Sequence, residues 1–337
     1  MKTDSPQSIG RVETRIEQID LPPEGFRLEN GEVLPELQIA YETYGALNPE
    51  KDNAIFICHA LSGDAHAAGY HDADNKDSVG WWDVMIGPDK GIDTNHYFVI
   101  CANILGGCKG TTGPSSIDPR TGEPYGAHFP QIAVGDIVRV HSLLVRRLGI
   151  DSLAAVIGGS FGGMQVLEWA IREPDKIRRT ICIASAASLS AQALAFDVVA
   201  RKAITYDPHW QSGNYYQASG QPEQGLSLAR KIGHITYLSK EMMARKFGRS
   251  RGGTASPHDF HSDFQVERYL EHQGRKFVGR FDANSYLHIT HAMDEFDLIE
   301  QHGSLNAALR PVQAKSLIVA LSEDWLFPPE QSLQIAT

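Results

Sequence analysis

The segment with the clearest catalytic motif is a glycine-rich hexapeptide at residues 158–163, with the sequence GGSFGG. It follows an apolar run at 153–157 and precedes a helix-like stretch at 164–172. Glycines two residues before and two after Ser160 allow a strand to reverse into a helix so tightly that the serine Oγ is lifted off the sheet. The helix amino terminus then faces a developing oxyanion. The spacing predicts Ser160 as a catalytic nucleophile. A plain strand-to-helix turn and a phosphate-binding loop are the alternatives.

A carboxylate that could orient a histidine beside this serine lies late in the sequence. In sheets with such a serine turn, the chain order is nucleophile, acid, histidine. Asp324 comes just after the apolar run 316–321, where a loop side chain can reach the same edge of the sheet. Glu323 is the local rival, but the residues that follow, WLFPP, favour a fixed loop around Asp324. We predict Asp324 as the acid, with an exposed turn carboxylate as the alternative.

The histidine that this order requires is missing from the end of the sequence. The last histidine is His302, and the sequence ends at Thr337 in what resembles the opening of a helix. His59 lies near an early strand end, and His288 and His291 lie in a helical region, but none has the expected position. We therefore expect the general base, with the last part of the core, to lie beyond Thr337. We expect the chain as printed to be inactive by itself.

Two backbone amides are candidates for an oxyanion hole. The apolar run 54–58 leads into the loop HALSGD at 59–64, which is where an early strand delivers the second donor in such sheets. The N–H of Leu61, paired with that of Phe161, would point two donors at one oxygen.

Histidines and a carboxylate in and after the same loop also invite a metal interpretation. The residues are His59, Asp64, His66 and His71. No H-E-x-x-H motif or cysteine pair accompanies them, and the oxyanion loop already explains the segment. We therefore predict that no metal is bound.

Short apolar runs bounded by turn residues alternate with helical stretches along the sequence. The strands and helices that this pattern predicts must position the candidate catalytic residues. One helix is marked by Ile137, Val140, Leu144 and Leu148, which share one helical face. Alternation of strand and helix predicts an α/β fold with a mostly parallel sheet covered on both faces. The predicted strands are residues 37–44, 54–58, 98–101, 153–157, 180–183 and 316–321.

The region between the last two predicted strands differs from the rest of the chain in composition. It is richer in Gln, His and Tyr, contains a polar glycine-rich stretch at 248–257, and has helical candidates at 191–203 and 226–247. An insertion after a parallel strand sits over the carboxyl edge, where α/β sheets bind ligands. We therefore predict a core at 1–187, a helical lid at 188–309, and a second part of the core at 310–337.

Composition narrows the class of protein. The 337 residues are 42% hydrophobic and 21% charged with a net charge of −10, which is ordinary for a globular protein and disfavours nucleic acid or an anionic membrane as partner. No signal-like or membrane-length apolar stretch occurs, so we expect a cytoplasmic protein. The four cysteines are too few for a disulfide framework and are predicted to be buried thiols.

Five segments together resemble the homoserine O-acetyltransferase family: residues 56–66, 80–83, 103–116, 158–165 and 324–329. The likeness extends over nearly the whole chain, and the runs LGGC and GGSFGGMQ are the most specific. It implies an α/β-hydrolase fold with a helical lid. It also implies acyl transfer from an acyl-coenzyme A to the hydroxyl of L-homoserine in methionine biosynthesis, with no bound cofactor.

The resemblance also implies roles for single residues. Ser160 matches the nucleophile and Asp324 the triad acid, while Arg230 matches an arginine resembling a carboxylate clamp and Tyr237 lies in the same substrate-facing region. A guanidinium can bind a carboxylate bidentately, although a solvated helix arginine is the plainer interpretation. We expect a homodimer. A succinyl donor, a serine acceptor, an esterase on the same fold and a binding module without catalysis remain alternatives.

Overall fold

A seven-stranded sheet forms the centre of the computed structural model, which describes residues 6–252 and 263–337. Its strand order is β1-β2-β4-β3-β5-β6-β7. The strands are β1 (Arg15–Gln18), β2 (Gln38–Tyr44), β3 (Ala54–Cys58), β4 (Phe98–Ala102), β5 (Ala155–Gly159), β6 (Arg179–Ile183) and β7 (Lys315–Val319).

The five strands from β4 to β7 in this order are parallel, whereas β1 and β2 pair antiparallel at one side. Parallel strands covered on both faces read as continuous apolar runs, as the AIFIC sequence of β3 does. β5 lies between β3 and β6, with Gly158 opposite both Cys58 and Cys182. The carboxyl end of β5 is therefore at the middle of the sheet.

The two faces of the sheet carry separate hydrophobic clusters. Phe56 points to one face, where it meets helices α1 (Val134–Arg147) and α2 (Phe161–Arg172) through residues such as Leu144 and Trp169. Ile57 points to the other face, where the segment 67–92 supplies the packing partners. This alternation along β3 follows from the two-residue period of a strand.

Seven α-helices lie between β6 and β7 in the described part of the chain. They are α3 (Ala191–Thr205), α4 (Glu223–Thr236), α5 (Lys240–Lys246), α6 (Gln265–Val278), α7 (Ala283–Asp294), α8 (Leu298–His302) and α9 (Leu305–Leu309). After β7, α10 spans Pro329–Ala336. α4 packs against both α3 and α6. The described part of this region contains no strand longer than a single bridge, as predicted, and we keep the name lid for residues 188–309.

One predicted helix of the lid was wrong in its extent. The single helix expected over residues 226–247 is two helices, because α4 ends at Thr236 and Ser239 starts α5 by accepting a hydrogen bond from Met242 N. A serine in this position stops one helix and caps the next. The predicted polar stretch 248–257 lies outside the described residues from 253 onward.

All four cysteines are free thiols, as predicted. Cys58, Cys101 and Cys182 are buried, whereas Cys108 is half-buried, so the prediction of burial was wrong for Cys108. None of the helices in the described ranges combines the length and hydropathy needed to span a membrane.

Candidate active site

Ser160 occupies a sharp turn between β5 and α2, with φ 55° and ψ −124°. Non-glycine residues rarely adopt this conformation, and it stores strain. The flanking glycines are required sterically. A Cβ at Gly162 would lie 2.1 Å from the Cys58 carbonyl oxygen, and one at Gly158 would lie 2.4 Å from the Gly162 carbonyl oxygen. The turn therefore has the geometry predicted from the GGSFGG sequence.

Neighbouring elements hold this turn in place. Ser160 N donates to the Ile183 carbonyl oxygen at 2.9 Å, which ties the turn to the end of β6. Ser185 Oγ donates to the Ser160 carbonyl oxygen at 2.7 Å. The backbone of the serine is thus fixed from two sides, and its side chain is left to face the cavity above the sheet.

A cavity of about 840 Å³ opens at this edge of the sheet. It brings together four of the predicted residues, Leu61, Ser160, Tyr237 and Asp324. Trp82 and Phe327 are among its apolar walls. A cavity of this size accommodates a small-molecule substrate with part of a larger carrier.

The Leu61 and Phe161 amides are both available as donors. Neither N–H bonds to another of the described residues. Phe161 N is the first amide of α2, so the helix dipole adds positive potential there. The arrangement can stabilise a negative oxygen beside Ser160, as an oxyanion hole does.

His59 supports this loop from beneath. Its Nδ1 donates to the Ala60 carbonyl oxygen at 2.8 Å and its Nε2 accepts from Ile104 N at 3.3 Å. These contacts define a neutral imidazole, and burial lowers the pKa of His59, which keeps it neutral. Both ring nitrogens are already engaged, so His59 serves the loop and not Ser160.

Asp324 is fixed by the loop that follows β7. Its Oδ1 accepts hydrogen bonds from Leu326 N at 3.0 Å and from Phe327 N at 2.8 Å. Its carboxylate makes no hydrogen bond to Ser160. Oδ2 has no hydrogen-bond partner among the residues that the structure describes. The carboxylate is therefore oriented, with one oxygen free toward the cavity.

No histidine of residues 6–252 and 263–337 lines the cavity. His288 packs edge-on against Phe129 with ring centroids 5.3 Å apart, and His291 faces Glu295 at 4.0 Å. Neither fills the space between Ser160 and Asp324.

Arg230 lies on α4, one layer behind the cavity wall. Its Nη1 donates to Ser62 Oγ at 2.9 Å, and its guanidinium lies over the rings of Phe277 at 4.6 Å and Tyr237 at 5.5 Å. Its Nε is buried without a hydrogen-bond partner. Arg230 thus touches two cavity-lining residues, Ser62 and Tyr237, without lining the cavity itself.

Of the histidines considered for a metal, His59 is engaged in its own loop, whereas His66 and His71 lie together. Among the described residues, Glu42, His66 and His71 form a group whose potential ligand atoms lie within 4.8 Å of one another. His66 Nδ1 faces Glu42 Oε2 at 2.9 Å and His66 Nε2 faces the Ser78 carbonyl oxygen at 2.6 Å. Both partners can only accept, so both nitrogens of His66 carry protons.

This arrangement is a buried ion pair. Burial alone would raise the pKa of Glu42 and lower that of His66. It is outweighed at Glu42 by the hydrogen bonds and charge of His66 together with hydrogen bonds from Thr14 and His71, and at His66 by Glu42 together with the Ser78 carbonyl oxygen and the charge of Asp64. The pKa of Glu42 is consequently lowered and that of His66 raised. His66 as protonated offers no lone pair to a metal, and none of the group lines the cavity beside Ser160. The absence of a bound metal stays a prediction.

Sequence reasoning missed a carboxylate on α3. A small second pocket is lined by Leu61, Ser160 and Tyr237, and also by Asp197. No motif surrounds Asp197 in the sequence. A single charged residue within an apolar stretch of a helix is most simply interpreted as a solvent-facing position. Its placement depends on how α3 packs over the sheet edge, which no local pattern reveals.

The strained serine turn, the parallel sheet and the inserted helices define an α/β hydrolase. Sequence comparison agrees, since the family model described as alpha/beta hydrolase fold matches residues 53–337. Comparisons with one related sequence and two solved structures identify the family within this fold. A homoserine O-acetyltransferase from Methanosalsum zhilinae is 54% identical over 329 residues, which is 97% of this chain and 65% of that protein. The crystal structure of a homoserine O-acetyltransferase from Bacillus anthracis superposes with a TM-score of 0.87 at 31% identity, covering 96% of this chain and 87% of that one.

The third comparison is with esterase E22, with a TM-score of 0.85, 31% identity, and coverage of 96% of this chain and 89% of that one. The chain belongs to the homoserine O-acetyltransferase family. It spans 65% of the length of the relative from Methanosalsum zhilinae.

Proposed function

We propose that the protein transfers an acetyl group from acetyl-coenzyme A to the hydroxyl of L-homoserine through an acyl-enzyme on Ser160. The observation that carries the proposal is the strained Ser160 turn facing a cavity of about 840 Å³ that also contains Leu61 and Asp324. A strained nucleophile beside free amide donors and an oriented carboxylate is suited to acyl transfer.

In the first half-reaction, Ser160 Oγ attacks the thioester carbonyl while a histidine accepts its proton. The Leu61 and Phe161 amides stabilise the oxyanion of the tetrahedral intermediate. The carbon–sulfur bond then breaks, and the coenzyme A thiolate takes the proton from the imidazolium. Ser160 is left as an acetyl ester.

In the second half-reaction, the homoserine hydroxyl gives its proton to the same imidazole and attacks the ester. The bond between the acyl carbon and Ser160 Oγ breaks, and the serine is reprotonated. O-acetylhomoserine leaves. Water exclusion by the lid favours the alcohol over water as acceptor.

We assign the general base to a histidine outside the described residues, held by Asp324. Two backbone amides occupy Asp324 Oδ1, which leaves Oδ2 to accept from an imidazole N–H. Arg230, with Tyr237 stacked against it, is assigned to the acceptor carboxylate because its Nε is unpaired and two of its neighbours line the cavity. A role in methionine biosynthesis, a cytoplasmic location and a homodimer are part of the same proposal.

Mass spectrometry of full-length protein mixed with acetyl-coenzyme A tests the nucleophile. We expect a retained acetyl mass in the wild type and none in Ser160→Ala. Ser322→Ala is the control, since Ser322 also lines the cavity and its loss should leave the acetyl mass intact. Acetyl mass retained in Ser160→Ala would contradict the assignment.

The similarity to esterase E22 favours one second candidate, hydrolysis of the same acyl-enzyme. The serine site alone does not choose between water and an alcohol. Product analysis with and without homoserine separates the two. A transferase yields O-acetylhomoserine when homoserine is present, whereas an esterase yields acetate at the same rate in both reactions. Succinyl-coenzyme A and serine, tested in parallel, decide the donor and acceptor alternatives.

A further inference from the structure

Residues 59–64 form the loop that carries one of the two candidate oxyanion donors, and we call it the oxyanion loop. The core holds its two ends. Gln165 Nε2 of α2 donates to the His59 carbonyl oxygen at 3.1 Å, and Trp81 Nε1 donates to the Asp64 carbonyl oxygen at 2.8 Å. These contacts fix where the loop starts and where it ends, but they do not reach its middle.

The lid holds the middle of the oxyanion loop. Arg280, in the connection between α6 and α7, donates from Nη1 to the Ser62 carbonyl oxygen at 2.9 Å. Arg230 of α4 donates from Nη1 to Ser62 Oγ, also at 2.9 Å. Among residues 6–252 and 263–337, these two are the only side chains that hydrogen-bond to Leu61 or Ser62. The lid therefore grips the backbone of the loop one residue after the Leu61 amide.

The charge of Arg280 has no carboxylate partner. Neither its guanidinium nor that of Arg230 forms an ion pair in the part of the chain that the structure describes. Both groups lie over the ring of Phe277, at 4.6 Å for Arg230 and 5.3 Å for Arg280. Burial and the charge of Arg230 lower the pKa of Arg280, although a guanidinium stays protonated. Two neighbouring cations without a carboxylate cost stability, so ion pairing within the fold does not account for Arg280.

We propose that Arg280 is a positioning residue, which keeps the Leu61 amide aimed at the oxyanion by anchoring the Ser62 carbonyl oxygen to the lid. The inference rests on the proposed acyl transfer, in which this amide stabilises both tetrahedral intermediates. An oxyanion donor is effective because its position is fixed before the reaction. A misplacement of about 1 Å can cost about 100-fold in rate.

This role differs from the one assigned to Arg230. Arg230 touches the Ser62 side chain and is assigned to the acceptor, so its loss should affect the second half-reaction. Arg280 holds the backbone of the loop and acts through it. Because both half-reactions pass through an oxyanion at the same place, loss of Arg280 should slow both of them.

Single-turnover acylation of the full-length protein by two donors tests the inference. The donors are acetyl-coenzyme A and S-acetyl-N-acetylcysteamine, a truncated thioester that has the same reacting group but no phosphate. Arg280→Ala should slow acyl-enzyme formation from both donors by the same factor, roughly 10- to 100-fold. Transfer from the acyl-enzyme to homoserine should slow by that factor too, while KM for homoserine stays within about twofold.

Three further variants separate positioning from a general loss of structure. Arg280→Met keeps an apolar stem against Phe277 but has no N–H, so it should show the same losses even if Arg280→Ala folds poorly. Arg280→Lys keeps a charged donor, so its rates should lie between those of Arg280→Met and the wild type. Arg275→Ala is the matched control, since Arg275 is an exposed arginine of α6 and its loss should change neither half-reaction.

A loss seen only with acetyl-coenzyme A would mean that Arg280 binds the donor, and a loss seen only in the second half-reaction would mean that it binds the acceptor. Either result would overturn the inference, as would wild-type rates in Arg280→Met or an Arg280→Lys protein no faster than Arg280→Met. Failure of the proposed function is seen separately, as wild-type protein that forms no acyl-enzyme from either donor.

Discussion

Arg230 is the residue whose assignment most needs a functional test, because it touches the cavity wall without lining it. Arg230→Ala should raise KM for homoserine roughly 10- to 150-fold through loss of a charged hydrogen-bond pair. The rate of acyl-enzyme formation should stay nearly unchanged, because the donor does not need this group. Single-turnover kinetics with acetyl-coenzyme A measure the first step, and steady-state kinetics measure the second.

Arg245→Ala provides the control, since Arg245 is an exposed arginine on the neighbouring helix α5. It should change neither step. If Arg230→Ala slows both half-reactions by the same factor, Arg230 supports the cavity wall and does not bind the acceptor.

The position of a site residue could be predicted where a local sequence motif surrounds it. It could not be predicted where only the packing of distant elements brings the residue to the site. The spacing of glycines around Ser160 reports backbone sterics that act within a few residues, so the turn could be predicted. The structure places Asp324 and Leu61 at the same cavity as Ser160, which strand-end reasoning had suggested. Asp197 comes close to Asp294 through the contact of two helices about a hundred residues apart in sequence, and no pattern in either helix records that contact.

At the scale of elements, the close approach of α2 to β3 is set by one glycine. Gly162→Ala would place a Cβ 2.1 Å from the Cys58 carbonyl oxygen, and backbone cannot yield as a flexible side chain can. We expect a loss of about 1–3 kcal/mol in the free energy of unfolding, measured by urea denaturation, together with loss of acyl-enzyme formation. The turn that carries Ser160 would be displaced even in molecules that fold, which is why acylation should be lost.

Gly279→Ala is the comparison for this prediction. Its Cβ would meet only the Lys276 carbonyl oxygen, at 4.0 Å, and its φ is −70°. The substitution should be neutral or slightly stabilising. A Gly162→Ala protein as stable as Gly279→Ala would show that the contact between α2 and β3 is not tight.

Buried strands were predicted from the sequence to within two residues, because their apolar runs follow directly from burial on both faces. β1 was missed, since it lies at the edge, pairs only with β2, and contributes the 61% exposed Ile16 as its one apolar residue. The break between α4 and α5 was missed because amphipathic periodicity continues on both sides, and the cap at Ser239 is a single residue.

The stability of the whole molecule should depend on pH through the Glu42–His66 pair. The folded state raises the pKa of His66 above its unfolded value of 6.5, so this contribution is fully present below pH 6.5 and is lost as pH rises through the raised pKa. Each unit of the shift contributes about 1.4 kcal/mol. The difference in unfolding free energy between wild type and His66→Gln should therefore shrink as the pH rises from about 6 to 9.

Urea denaturation at several pH values measures this difference. His96→Gln is the control, because the His96 side chain is 77% exposed and its removal should give a difference that hardly changes with pH. A difference for His66→Gln that is constant or grows with pH would mean that His66 is neutral in the folded protein.

The positive φ of Ser160 lowers the stability of the protein, while the proposed reaction requires a serine at this position. At φ 55° a glycine would be relaxed where the serine is strained, so Ser160→Gly should stabilise the protein by about 1 kcal/mol, visible as a higher denaturation midpoint, while abolishing acylation. Mutational drift in a lineage that no longer needed the reaction would then favour the loss of the serine and make the protein more robust. A serine retained at this position marks a lineage in which selection for the chemistry has outweighed a standing thermodynamic preference for its removal.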